Sequence, residues 1–216
     1  MQTAGMTSQA LIAKLSLLPI PLQSERLLLR GALPNDAVAL HACYFGSHEA
    51  SRFLSRGPHE SSLHTATFLN QWCTQNWHVP TNAVAWVIAN RLSGAPMGIF
   101  LALAKGHAVE IHYGIGSSYC GHGYATEAGA AVINWLLSNP AVQRVWTAID
   151  TEHHASRRVL EKLGFQSEGV LRQWAVLPQI SEFARDAVSY SRVRIDCSEP
   201  THPYRRHPHS HEPQPR

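Results

Sequence analysis

The sequence predicts an α/β (α+β mixed) domain with a central mixed, mostly antiparallel twisted sheet of six to seven strands flanked by about four helices. Three observations carry this. The apolar runs "AVAWVIAN" (Ala83 to Asn90), "MGIFLALA" (Met97 to Ala104) and "AVEIHYGIG" (Ala108 to Gly116) are separated only by the turn signals "RLSGAP" and "KG", as in an antiparallel meander. A helix-period segment then runs from Gly123 to Ser138 and stops before Pro140, which disfavours a helical residue ahead of it. The strand "RVWTAID" (Arg144 to Asp150) follows, and this strand-helix-strand succession gives a mixed sheet with helices on its faces.

Ahead of the meander, "RLLLRGAL" (Arg26 to Leu33) reads as a strand, and Asn35 or Asp36 supplies the N-cap of a helix reaching about Phe45. A second helix fits Glu60 to Trp77, with Ala66, Leu69, Trp72 and Cys73 on one face. In the third meander strand Ile111, Tyr113 and Ile115 point one way while Glu110, His112 and Gly114 point the other, leaving one face for the core and one for chemistry. The helix from Gly123 carries Ala125, Ala128, Ala131, Val132 and Trp135 at three-to-four spacing. Ala155, Val159, Leu160 and Leu163 line a further helix that ends at Gly164, a natural C′ residue. "FQSEGVLRQWAVL" and "FARDAVSYSRVRI" close the domain as two strands, and Trp72, Trp77 and Trp86 are read as core.

A chain of 216 residues with 44% hydrophobic content has room for one domain with a sizeable core. That domain is expected over residues 24–196, after a leader at 1–23 and before a His/Pro-rich disordered tail at 197–216. The tail's His202, His207, His209 and His211 would hold a transition metal weakly, and a solvated low-complexity end is the favoured reading. A net charge of +3 with no long Lys/Arg block does not point to a nucleic acid and suits a polyanionic small ligand. Cys43, Cys73, Cys120 and Cys197 have neither metal spacing nor the density of a disulfide scaffold, so reduced thiols in a cytoplasm are expected. "LSLLPIP" (Leu15 to Pro21) is too short and too proline-broken for a membrane span and lacks the basic region of a signal peptide. The expectation is a soluble, cytoplasmic protein with no metal requirement.

The chemistry concentrates at Cys120-Gly121-His122-Gly123-Tyr124-Ala125. Two glycines remove side chains that would block close approach, so successive N–H groups can turn toward one ligand, and the helix starting here adds its positive end. This is a site for a pyrophosphate. There is no GxxxxGK[ST], and Thr126 stands where a dinucleotide fingerprint would need its third glycine.

From here "YGIGSSYCGHGYATEAGAAVINWLL" and "RVWTAIDTEHHASRRVLEKLGFQSEGVLR", with the opening "SERLLLR" and the late "RDAVSYSRVR", resemble the GCN5-related N-acetyltransferase (GNAT) superfamily and its RimJ/RimL-like branch of ribosomal-protein N-terminal acetyltransferases. The resemblance runs from about Ser24 to Ile195. It implies the GNAT fold and acetyl-CoA as cosubstrate, its pyrophosphate on the N–H groups of Gly121, His122, Gly123, Tyr124 and Ala125, with Thr126 next in the turn. It also implies a pantetheine arm laid along Glu110 to Ile115 like an added strand, contacting Tyr113, Gly114 and Ile115. Cys120 replaces an Arg or Gln of the family pattern, and His154 replaces an Asn near the thiol end of the cosubstrate.

Acetyl transfer needs a neutral amine, a polarised thioester and a proton for the leaving thiolate. Glu110 is the candidate base, directly or through water, and His112 on the same strand face is its rival. Ser156 matches the family serine that would protonate the sulfur. Tyr124 and Glu127 read as structural, and Arg157 and Arg158 as a solvated helix face within possible reach of the phosphates. Cys120 lies at the wrong end of the cosubstrate for a covalent intermediate. The expected partners are acetyl-CoA and an acceptor amine, a protein N-terminus being favoured over a small molecule, with no nucleic acid or membrane, and the chain a monomer or homodimer. A non-catalytic acyl-CoA-binding or sensory module is the alternative.

Overall fold

The computed structural model describes residues 17–77 and 80–194. Residues 1–16 of the expected leader, and the tail with Cys197 and its four histidines, lie outside the described residues. The alternating and apolar runs form an eight-stranded sheet of order β1-β2-β3-β4-β5-β6-β8-β7. Its strands are β1 (Leu22–Gln23), β2 (Leu27–Arg30), β3 (Ala83–Asn90), β4 (Pro96–Lys105), β5 (Ala108–Ile115), β6 (Arg144–Asp150), β7 (Gln166–Val176) and β8 (Ala184–Val193). Among the described residues only β5 and β6 pair in parallel, as a helical crossover between them requires.

The helices are α1 (Asp36–Leu40), α2 (His48–Ser51), α3 (Ser62–Leu69), α4 (Tyr124–Ser138) and α5 (His154–Lys162). Both α1 and α3 run on into π-helical turns, His41–Phe45 and Asn70–Thr74. Two cores result. On one face of the sheet Val84, Trp86 and Ile88 pack with Val132, Ile133 and Leu136 of α4, and on the other Ala85 and Val87 pack with Leu40, Leu69 and Cys73. Burial of β3 on both sides explains why its sequence is a continuous apolar run. No described helix is long and apolar enough to cross a membrane.

The sequence-based expectation falls short in three places. The two-residue strand β1 and the four-residue helix α2 add an eighth strand and a fifth helix; α2 starts at Ser47, whose hydroxyl accepts from the Ala50 N–H at 3.2 Å. The fold also begins before Ser24. Leu17 is buried and exchanges hydrogen bonds with Thr81, and the indole N–H of fully buried Trp86 donates to the Ile20 carbonyl at 2.9 Å. A buried indole needs such a partner, so residues 17–23 complete the core rather than lead into it. Finally, α4 buries Ala128, Gly129, Val132, Ile133 and Leu136, leaving Ala125, Ala131 and Trp135 only partly covered. At Gly129 a Cβ would stand 2.6 Å from Leu163 Cδ1, so a side chain there would have to displace that methyl group.

Leu17→Ala is therefore expected to cost about 2–5 kcal/mol of unfolding free energy in urea denaturation. Leu18→Ala, at a half-exposed neighbour, should stay within about 0.5 kcal/mol of the wild type.

Candidate active site

Pairing between β5 and β6 is confined to Ala108 with Arg144, Val109 with Val145 and Glu110 with Trp146. Beyond Glu110 the two strands part, although β5 stays paired with β4 to Ile115 and β6 with β8 to Asp150. The Gly116 N–H donates to the Met97 carbonyl on the β4 side at 2.8 Å, and the β4–β5 register has no shift. Strand alternation then turns the backbone groups of Ile111, Tyr113 and Ile115 into the gap. Backbone groups demand partners, so the gap is a slot for an extended ligand that can bond like a strand.

The glycine loop stands at the head of α4. Gly121 and Gly123 both have φ of +81°, the left-handed region in which a side chain is strained. No side chain caps the first turn of α4 at Gly123, which leaves the helix N-terminus open to an anion. Gly121, His122 and Gly123 are exposed, and Tyr124, Ala125 and Thr126 are half-buried in the first turn. The His122 Nδ1 lies 2.9 Å from the Cys120 carbonyl, folding that ring back on its own loop.

A brace that sequence reading did not find comes from the opening "SERLLLR". The Arg26 guanidinium donates to the His122 carbonyl at 3.1 Å and to Glu127 at 2.7 Å, and it lies 4.5 Å over the Tyr124 ring. The Arg26 backbone N–H and the Ser24 hydroxyl both donate to the other Glu127 oxygen, at 2.8 and 2.7 Å. Burial works to raise the Glu127 pKa, but these donors outweigh it and hold the carboxyl below its usual range. Where the family pattern has Arg or Gln at Cys120, this chain ties the loop through Arg26.

The parted strands bound a cleft of about 320 Å³. Half-buried Glu110 and exposed His112 meet on one side of β5, with Oε1 and Nε2 3.1 Å apart. On the other side the Tyr113 hydroxyl stands 2.8 Å from Ser156 Oγ. Burial pushes the Tyr113 pKa up to about 12 against the opposing Ser156 hydrogen bond, so this phenol stays a proton donor at every physiological pH. Ser156 is buried in the first turn of α5. Gly114 has no room for a side chain, since a Cβ would fall 2.0 Å from the Tyr44 hydroxyl.

His154 is exposed, and the neighbouring His153 lines the cleft in its place, stacked on Phe53 with ring centroids 4.2 Å apart. The turn into α5 decides between the two histidines: the Asp150 carbonyl accepts the His153 N–H at 3.0 Å and its carboxylate accepts the Glu152 N–H at 2.9 Å. Burial pushes the His153 pKa down to about 4, aided by His154 and opposed by Asp150. The Arg157 guanidinium donates to the Tyr190 hydroxyl at 3.1 Å. Phe53, His153 and Trp174 are cleft residues without a sequence signature, because they arrive from separate elements.

The acetyltransferase (GNAT) domain family matches residues 26–166. Over 156 residues the chain is 32% identical to the uncharacterized N-acetyltransferase YoaA of Bacillus subtilis (strain 168), covering 71% of this chain and 86% of that protein. This chain belongs to the GNAT acetyltransferases. The GNAT fold is shared with a ribosomal-protein-S5-alanine acetyltransferase from Vibrio fischeri, with a TM-score of 0.70 at 20% identity over 84% of this chain and all of that one. The ribosomal L7/L12 alpha-N-protein acetyltransferase RimL, solved with coenzyme A, has a TM-score of 0.68 at 20% identity, covering 82% of this chain and 97% of that one.

In this GNAT protein the His153 ring should titrate near 4 by NMR, well below the ordinary value of about 6.5. Because the folded pKa is depressed, the stability that neutral His153 contributes is complete above about pH 6.5 and is lost as the pH falls toward 4. His153→Phe should flatten the loss of stability across that window in urea titrations. The part due to His59, also pushed down to about 4, chiefly by burial, should remain.

Proposed function

We propose that this protein moves the acetyl group of acetyl-CoA to a primary amine by direct nucleophilic attack, with a protein N-terminal α-amine as the favoured acceptor and a small-molecule amine as the alternative. One observation carries the reading. The free half of β5 runs on in the chain to the uncapped helix head of α4, and its backbone slot passes between Glu110 on one side and the Tyr113–Ser156 pair on the other. Acetyl-CoA supplies an activated acetyl group and a polyanionic handle. The residues that would hold it are Gly121, His122, Gly123, Tyr124, Ala125 and Thr126 around the diphosphate and Tyr113, Gly114 and Ile115 along the slot.

The protein's own groups then divide the work. An α-amine has a pKa of about 7.7–8.0 in water, so a weak acceptor suffices to take its proton. Glu110 holds that position directly or through water, and His112 at 3.1 Å can relay the proton to solvent. The β5 N–H groups facing the gap would receive the developing oxyanion, where one aligned donor is typically worth about 3 kcal/mol. The Ser156 hydroxyl, 2.8 Å from that of Tyr113, offers its hydrogen to the departing sulfur, and the Tyr113 phenol can resupply it. The N-terminal acceptor is supported by the ribosomal-protein acetyltransferases that share this fold.

Calorimetry with acetyl-CoA tests the cradle: micromolar binding is expected, and Gly121→Val/Gly123→Val should abolish it. With peptide and small-amine acceptors, Glu110→Gln is expected to lower kcat/KM by about 100-fold. His112→Ala should have a smaller effect, and unchanged rates in both variants would remove both from the chemistry. Binding with no turnover on any amine would favour the acyl-CoA-binding module instead.

A further inference from the structure

The ladder between β7 and β8 shifts register twice, between Ser167 and Gly169 and, beside the cleft, between Leu171 and Ala175. Leu171 pairs with Ala187 and Ala175 with Arg185, so Arg172, Gln173 and Trp174 stand opposite Asp186 alone. Gln173 has φ of +47°, the only positive φ of a non-glycine among the described residues. Its N–H donates to Asp186 Oδ1 at 2.8 Å. A bulge beside a site re-aims a side chain, and a bulky residue held in this region marks a conformation that the surroundings enforce. The side chain re-aimed here is Trp174, which lines the cleft shared by Glu110 and remains 51% exposed.

Phe53 lines the same cleft, stiffened by its stacking on His153. Leu54, Ala175 and Leu177 extend the apolar walls. The charged lining consists of Glu110, Asp150 and Asp186 against Arg185, and Arg185 is already engaged by Asp150 at 2.7 Å and Glu152 at 2.9 Å. Such walls accept an apolar group and repel an acidic one.

Resting on the acetyl-transfer reading above, we propose that Trp174, set in place by the kink that Asp186 pins, determines acceptor specificity. The side chain next to the reactive amine packs between Trp174 and Phe53, so the acceptor is a peptide N-terminus whose first residue is apolar rather than acidic. Trp174 contacts the acceptor, and Asp186 is a positioning residue.

Steady-state kinetics with tetrapeptides beginning in Leu or Asp, alongside acetyl-CoA affinity by calorimetry, test this. The wild type should favour the Leu peptide by about tenfold or more in kcat/KM. Trp174→Ala and Asp186→Ala should each raise KM for the Leu peptide about tenfold, with kcat and acetyl-CoA affinity nearly unchanged. Gln173→Gly, which relaxes the strain and keeps the N–H, should retain the wild-type preference. If Asp186→Ala does not fold, the partly exposed Trp174 still gives the answer. An unaltered peptide preference in Trp174→Ala overturns the proposal, as does a wild type that binds acetyl-CoA but accepts neither peptide. A wild type that does not bind acetyl-CoA overturns the acetyl-transfer reading beneath it.

Discussion

Beyond Glu110, β5 has a hydrogen-bonding neighbour on one side only, and each backbone group it turns toward β6 is left for a ligand to satisfy. The opening is held from behind. The π-helical turn His41–Phe45 presses on the free half of β5, with the Tyr44 hydroxyl where a side chain of Gly114 would be and the Cys43 carbonyl 2.6 Å from where one of Gly116 would be. π-helical turns recur at functional sites because they displace one stretch of backbone without breaking the helix. Here the displacement backs a half-paired strand. Strand alternation puts Glu110 and His112 on one side of the slot and Tyr113 and Ser156 on the other, which separates the proposed proton acceptor from the proposed donor.

The glycine loop depends on a different balance. Gly121 and Gly123 adopt a left-handed backbone that a side chain would resist, and glycine's freedom alone would leave the loop loose. Arg26 and Ser24 remove that looseness through Glu127 and the His122 carbonyl. Arg26 is 43% exposed, so its ion pair with Glu127 contributes modestly to stability. Its value lies in geometry, since four hydrogen bonds fix the first turn of α4 relative to β2 and keep the helix N-terminus clear for an anion.

Much of this was legible in the sequence because local rules dictated it. The meander is written in β-period runs and tight turns, α4 and α5 in helical periodicity closed by Asn139-Pro140 and Gly164, and the cradle in two glycines at a helix head. The parted strands were not legible from periodicity, which says that β5 is a strand and nothing about where its second neighbour leaves it. The choice of His153 over His154 turns on a hydrogen-bonded corner at Asp150. The kink at Gln173 carries no glycine to announce it, and Arg26 and Glu127 lie 101 residues apart. Each is a tertiary decision made by residues that look unremarkable in their own segments.

Amide hydrogen exchange with and without acetyl-CoA tests the central claim, that parted β5 and the glycine loop form one binding surface. The account predicts that segments 111–115 and 121–125 gain protection together on acetyl-CoA binding, while β3, already paired on both sides, does not change. Saturating binding that protects the loop and leaves 111–115 exchanging as before would contradict it.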